Sequence, residues 1–231
     1  TNRPAAGAMR GYGIPQAMWA GESHLDDVAR ALGRNPAEYR RQIVMPQGYV
    51  DGFSKNENYY DTFRQVMDKG MEAIDYEWKL REYKNQTGPV RRGVGMALFW
   101  YNTAVWPISL ESSSCRMVLN QDGSVQVQTG ETEIGQGCDT AYAQMAADAI
   151  GIPFEQVHIV STQDTDVTPF GTGAYASRQT YVGGFALRQT GELLRDKILT
   201  CAVELTRQMK ENLDLIDGKI VRISDGRELM T

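Results

Sequence analysis

The segment Cys115-Arg116-Met117-Val118-Leu119-Asn120-Gln121-Asp122-Gly123-Ser124-Val125-Gln126-Val127-Gln128-Thr129 decides the fold class. Cys115, Met117 and Leu119 alternate with polar residues, and Val125 and Val127 alternate after Asp122-Gly123. Period-two alternation interrupted by Asp-Gly reads as a β-hairpin. Downstream of it, residues 139–150 carry helical spacing and residues 157–160 read as a short strand. A long helix is expected from 180 to about 210, carrying Val182, Ala186, Leu194, Ile198, Ala202 and Leu205. A second Asp-Gly turn at 217–218 leads into a strand at 219–223. Upstream, residues 94–101 form a continuous apolar run suited to a buried strand, with Gly93 and Gly95 serving its packing. Phe99, Trp100, Tyr101 and Trp106 are then expected in the core, with strand alternation leaving one or two rings to line a pocket for a flat substrate.

Residues 1–90 read as mostly helical. Met18, Leu25, Val28, Ala29 and Leu32 fall near one face of a helix that Pro15 starts and Gly33 ends. A short helix at 36–43 follows. A longer one spans 59–83, with a core stripe of Phe63, Val66, Met67, Gly70, Ala73 and Ile74. The expected fold is therefore α+β, a mixed sheet with hairpins packed by long helices. Its expected domains are a helical N-terminal segment at 1–90 and an α+β segment at 91–231.

Bulk properties narrow the function. Hydrophobic residues make up 42% of the 231 and charged residues 23%, as in an ordinary globular protein. A net charge of −5, with no basic run longer than Arg91-Arg92, argues against a nucleic-acid partner. No apolar run approaches the roughly 20 residues that span a bilayer, and no signal peptide is visible. Cys115, Cys138 and Cys201 are widely spaced and odd in number, which favours a reducing, cytoplasmic setting over a disulfide framework. Without Cys-x-x-Cys, these residues are not expected to hold an iron–sulfur cluster alone. Two histidines, His24 and His158, are too few and too distant for a histidine metal site. The first residue is Thr1, so the chain is expected to be a piece of a longer protein.

Three loops share one design. Residues 10–16 place Arg10 before Gly11-Tyr12-Gly13, with Pro15 and Gln16 opening a helix. Residues 132–137 run Thr-Glu-Ile-Gly-Gln-Gly ahead of the helix at 139–150, and residues 171–178 run Gly-Thr-Gly-Ala-Tyr-Ala-Ser-Arg ahead of the long helix. Each is expected to aim unsatisfied N–H groups and the positive end of a helix at an anionic, oxygen-rich ligand such as a pyrophosphate. Arg10, Gln16, Gln136, Ser177, Arg178 and Gln179 add polar side chains. Gly171-x-Gly-x-x-Ala176 imitates a dinucleotide fingerprint, but a long loop separates it from any strand, so a Rossmann fold is rejected. Glu131 and Glu133 have the form of an acid–base pair, although acidic residues near a helix N-terminus are favoured electrostatically in any case. A non-catalytic phosphate- or nucleotide-binding module, or a degenerate partner subunit, is the alternative reading.

Ala8-Met9-Arg10-Gly11-Tyr12-Gly13-Ile14-Pro15-Gln16, Thr132-Glu133-Ile134-Gly135-Gln136-Gly137 and Ala174-Tyr175-Ala176-Ser177-Arg178, in that order, resemble the molybdopterin-binding chain of the molybdenum hydroxylases. That family includes xanthine dehydrogenase, aldehyde oxidase and nicotinate dehydrogenase. The resemblance implies that Arg10 and Ala176 border molybdenum through their backbones. It implies that Tyr12 packs against the substrate ring, with Trp106 as a second substrate-facing position. Ile134, Gly135 and Gln136 would contact the pterin. Tyr175, Ala176 and Ser177 would lie beside the metal and dithiolene, with Ser177, Arg178 and Gln179 on the phosphate side. The implied cofactor is molybdopterin cytosine dinucleotide carrying molybdenum. FAD and [2Fe–2S] groups would sit on partner subunits or domains, beside the remainder of the molybdopterin subunit. The implied reaction is hydroxylation of a flat N-heteroaromatic, a purine such as xanthine or hypoxanthine or else nicotinate, with oxygen from water. The family's catalytic glutamate has no counterpart here, so none of these 231 residues is expected to be the catalytic base. The chain alone is expected to be inactive.

Overall fold

The alternation around Asp122-Gly123 is realised as a hairpin. β1 (Cys115–Leu119) pairs antiparallel with β2 (Val125–Thr129), Cys115 opposite Thr129 and Leu119 opposite Val125. Gly123 takes φ +85°, and the Asp122 carboxylate accepts from the Ser124 N–H and hydroxyl at 3.0 and 2.7 Å. The hairpin belongs to the second of two units into which the chain divides, residues 1–101 and 102–231. The computed structural model describes residues 9–101, 103–105, 111–160 and 164–231.

In the second unit, β3 (Val157–Ile159) lies parallel to β2, with Val125 opposite Val157. Parallel neighbours need a crossover, and α5 (Cys138–Ile150) supplies it. β4 (Leu213–Ile216), β5 (Lys219–Arg222) and β6 (Glu228–Met230) form a separate antiparallel sheet. The long α6 (Gly184–Thr206) packs on α5, and small residues let the two approach. A Cβ on Gly191 would lie 2.8 Å from the Ala149 Cβ, and one on Gly184 would meet the Met145 side chain. Val125, Val127, Ala146, Ile150 and Leu187 are wholly buried in one core. Burying a side chain such as Leu187 is worth about 1.5–3 kcal/mol. Gly151 ends α5 at φ +93°, where a side chain would also collide with the Leu215 carbonyl.

The first unit is helical. α1 (Ile14–Ala31) has Pro15 in its first turn, and α2 (Pro36–Ile43) is capped by Asn35, whose side chain accepts from the Ala37 N–H at 2.9 Å. Arg40 joins them from within. It is 1% exposed and donates to the Glu22 carboxylate and Asp26 at 2.7 Å each.

Several expectations change. Residues 94–101 form no strand; the Leu98 N–H donates instead to the Glu22 carboxylate at 2.9 Å, which leaves it unavailable to a ladder. Phe99, Trp100 and Tyr101 are exposed, and Gly93 and Gly95 face open space rather than packing partners. The helix expected over 59–83 is two, α3 (Thr62–Ala73) and α4 (Tyr76–Glu82), broken where Asp75 turns left-handed at φ 51°. Of its stripe, only Met67 is buried, while Val66 and Ile74 are exposed. The long C-terminal helix stops at Thr206, with Arg207 left-handed and Leu205 exposed. β4 and β6 add two strands to the single one expected at 219–223. Leu213 and Leu215 do alternate ahead of Asp217-Gly218, a signal obscured by extending the helix toward them.

Candidate functional site

Arg178 organises the loop at 171–178. Its side chain is fully buried, and its guanidinium reaches three stretches of chain. Nε donates to Glu111 at 2.9 Å, and one terminal nitrogen donates to both Glu131 oxygens at 2.7 and 2.9 Å and to the Gly173 carbonyl at 3.0 Å. The other terminal nitrogen donates to the Ser112 carbonyl at 2.5 Å. The carboxylates are supported in turn: Ser113 Oγ donates to Glu131 at 2.7 Å, and the Val105 N–H donates to Glu111 at 2.7 Å. Burial opposes the charge on Arg178, but its bonds to Glu111 and Glu131 outweigh that cost and raise its pKa. The guanidinium also lies over the Tyr175 ring, 5.6 Å from its centre.

This network surrounds an unusual backbone. Ala176 and Ser177 are consecutive left-handed residues, at φ 47° and 57°. Neither is glycine, so each costs of order 1–2 kcal/mol, which surrounding contacts must offset. The Ala176 carbonyl accepts from the Ala104 N–H at 2.7 Å, and Ser113 and Gly171 form an antiparallel bridge. Gly130 and Gly171 cross so closely that a Cβ on either would strike the other's backbone. Among the described residues, the N–H groups of Ala176 and Ser177 meet no acceptor, and the buried Thr172 hydroxyl has no hydrogen-bond partner. A π-helical turn at Gln179–Gly183 then leads into α6, a distortion frequent at functional sites.

The loop at 132–137 is built differently. Glu133 accepts from the N–H groups of Gly135 at 2.6 Å, Gly137 at 3.2 Å and Asp139 at 3.1 Å. The Asp139 N–H leads the hydrogen bonds that lower its pKa. Gln136 accepts from the Ile134 N–H at 2.7 Å. The N–H groups expected to await an anion here are thus met by the loop's own side chains. Gln136 Nε2 also donates to Gln179 Oε1 at 2.5 Å, and Gln179 Nε2 donates to the Thr132 carbonyl at 2.7 Å, so the two loops are stitched together. Ile134 and Gly135 remain exposed. Cys138 opens α5, a place that ordinarily activates a thiol. Burial, followed by the charges of Asp139, Glu133 and Glu131, pushes it up to about 12 instead.

Residues 10–16 lie in the first unit. Gly11, Tyr12 and Gly13 are all left-handed, at φ 93°, 53° and 83°, and the Ile14 N–H donates to the Gly11 carbonyl at 2.8 Å. Arg10 and Tyr12 are exposed. Trp106 lies outside the described residues. Among the described residues, no group of three or more His, Cys, Asp or Glu side chains is placed to hold a metal ion.

Glu111, Ser113, Thr172 and Tyr142 escaped sequence reasoning. Tyr142 donates to the Gln179 carbonyl at 2.6 Å from the core face of α5. Glu111 is 67 residues from Arg178, and no local pattern announces such a pair.

Comparison with known proteins gives these loops a context. The description "molybdopterin cofactor-binding domain" matches residues 69–230 and, separately, residues 1–44. The chain is 45% identical over 228 residues to the xanthine dehydrogenase molybdenum-binding subunit of Escherichia coli O157:H7, covering 99% of this chain and 30% of that subunit. It is 28% identical to the nicotine 6-hydroxylase large subunit of Paenarthrobacter nicotinovorans, covering 94% of this chain and 28% of that subunit. The chain therefore spans about a third or less of the length of these relatives. Its fold matches quinoline 2-oxidoreductase from Pseudomonas putida 86 with a TM-score of 0.73, at 24% identity, over 99% of this chain and 30% of that one. The chain belongs to the molybdopterin cofactor-binding domain family.

Proposed function

We propose that this chain is the molybdopterin-binding portion of an oxidoreductase that hydroxylates a flat N-heteroaromatic compound with oxygen from water. The observation that carries the reading is the left-handed pair Ala176-Ser177, whose open N–H groups lie on the same short loop as the unpartnered Thr172 hydroxyl. Donors on a rigid loop suit an oxygen-rich, anionic cofactor. Tyr175, Ala176, Ser177 and Gln179 would hold it from one side, and Ile134, Gly135 and Gln136 from the loop stitched to them. Arg178 would contribute the position of its loop, because its guanidinium is turned inward. Arg10 would border the metal, with Tyr12 and Trp106 facing substrate.

The bound cofactor supplies the two-electron oxidation. We assign it the cytosine dinucleotide form, with electrons passing to [2Fe–2S] and FAD groups on partner chains or domains. Xanthine, hypoxanthine and nicotinate are the substrates to test; relatives are named for the first two, and a third relative is named for nicotine, another pyridine compound. Neither Glu131 nor Glu133 is proposed as the base, since both already have partners. The first is paired with Arg178 and the second accepts from the start of α5. Residues 1–231 alone are accordingly expected to show no turnover.

The test is purification of the full-length protein with its partners, followed by molybdenum analysis, identification of the nucleotide released on denaturation, and assay with the three substrates. Molybdenum near one per subunit, release of CMP and turnover of one substrate are expected. Absence of molybdenum from active preparations would overturn the reading.

A further inference from the structure

Arg178, Glu131 and Glu111 form a buried cluster with one positive and two negative charges, drawn from three separated stretches of chain. Such a cluster is a poor device for stability alone, since well-packed apolar residues often serve as well or better. Its location gives it a more specific task. Each of its arms ends on a segment that fixes the strained loop. Arg178 holds the Gly173 carbonyl and the Tyr175 ring, and its bond to the Ser112 carbonyl ties the loop to the stretch that bridges at Ser113 and Gly171. Glu111 holds the Val105 N–H, next to the residue whose N–H bonds Ala176. Glu131 follows Gly130, the residue that crosses Gly171, and its side chain is wedged close to Gly183.

We propose that Glu131 and Glu111 are positioning residues that act through Arg178 to hold Ala176 and Ser177 left-handed, and so keep their N–H groups aimed at the cofactor. The inference rests on the proposed cofactor role of this loop. Relaxation of either residue to its preferred right-handed conformation would redirect those N–H groups, and the carboxylates prevent it by fixing both flanks. Neither carboxylate touches the cofactor; their effect is on how long it stays bound. Outer partners of this kind typically alter affinity about 10- to 100-fold.

The test uses the full-length protein assembled with its partners. Glu131→Gln, which keeps the shape of the side chain and removes its charge, is compared with Asp214→Asn. The latter weakens the Arg195–Asp214 ion pair elsewhere in the same unit. Molybdenum and nucleotide per polypeptide, the rate of cofactor release at a fixed sub-denaturing temperature, and the melting temperature are measured for each. Roughly 10-fold faster release is expected for Glu131→Gln, while Asp214→Asn keeps wild-type release whatever its melting temperature. If Glu131→Gln does not fold, Glu111→Gln is read by the same criteria. Wild-type occupancy and release in a folded carboxylate variant would overturn the inference while leaving the cofactor reading intact. Release that simply tracks melting temperature in both variants would overturn it too. Wild-type protein without molybdenum would overturn the cofactor reading, and the inference with it.

Discussion

The loops at 132–137 and 171–178 look alike in sequence, each glycine-rich and set ahead of a helix, yet they are held by opposite means. The first is held from within. Glu133 gathers three N–H groups, all within six residues of itself. The second is held from outside, by Glu111 and Glu131 acting on a buried arginine 67 and 47 residues away. The internally held loop has used the N–H groups of Ile134, Gly135, Gly137 and Asp139 on its own side chains. The externally held one keeps donors open because its support comes through a side chain facing the other way. A loop that must present N–H groups to a ligand benefits from being braced by something other than those groups.

This contrast is sharpest at Arg178. Arg178→Met would leave two carboxylates buried without their cation, at a cost of about 3–5 kcal/mol. Urea denaturation should show this, and a loss below about 1 kcal/mol would mean that the cluster does not brace the unit. Gly171→Ala should be next in size, costing about 1–3 kcal/mol, because the added Cβ meets the Gly130 backbone, which has nowhere to go. Gly135→Ala in the other loop meets no atom within 4 Å. Its cost should be only that of an L-residue at left-handed φ, about 1–2 kcal/mol. A Gly135→Ala penalty exceeding that of Gly171→Ala would reverse the comparison.

The smallest effect belongs to Glu133, and it depends on pH. Backbone N–H bonds lower its pKa in the folded protein. Its contribution is therefore present above the unfolded value of about 4.3 and is lost as pH falls through the lower folded value. Glu133→Gln should be slightly less stable than wild type at pH near 7, with the gap closing in acid. A gap that persists at low pH would assign Glu133 a role other than capping by charge.

Some of this was legible in the sequence. The Asp122-Gly123 hairpin, the crossover helix and the Asp217-Gly218 turn rest on local patterns of alternation, helical spacing and turn chemistry. The apolar run at 94–101 misled, because hydrophobicity alone cannot say whether a partner strand exists. Here a carboxylate 76 residues away takes a backbone N–H from it. The same blindness hid the site's support. Glu131 was visible as a carboxylate near Glu133, but the two face different tasks, one into a buried arginine and one onto a helix end.

The sequence by itself determined where the chain turns, which loops are glycine-rich, and the order of the motifs that resemble a cofactor-binding chain. Those properties depend on residues within a few positions of each other. Only the tertiary structure decided which N–H groups stay open and which are already bonded. That outcome depends on side chains such as Glu111 and Glu131, brought to Arg178 by the packing of the sheet, the loops and α6, and such pairing leaves no trace in local spacing.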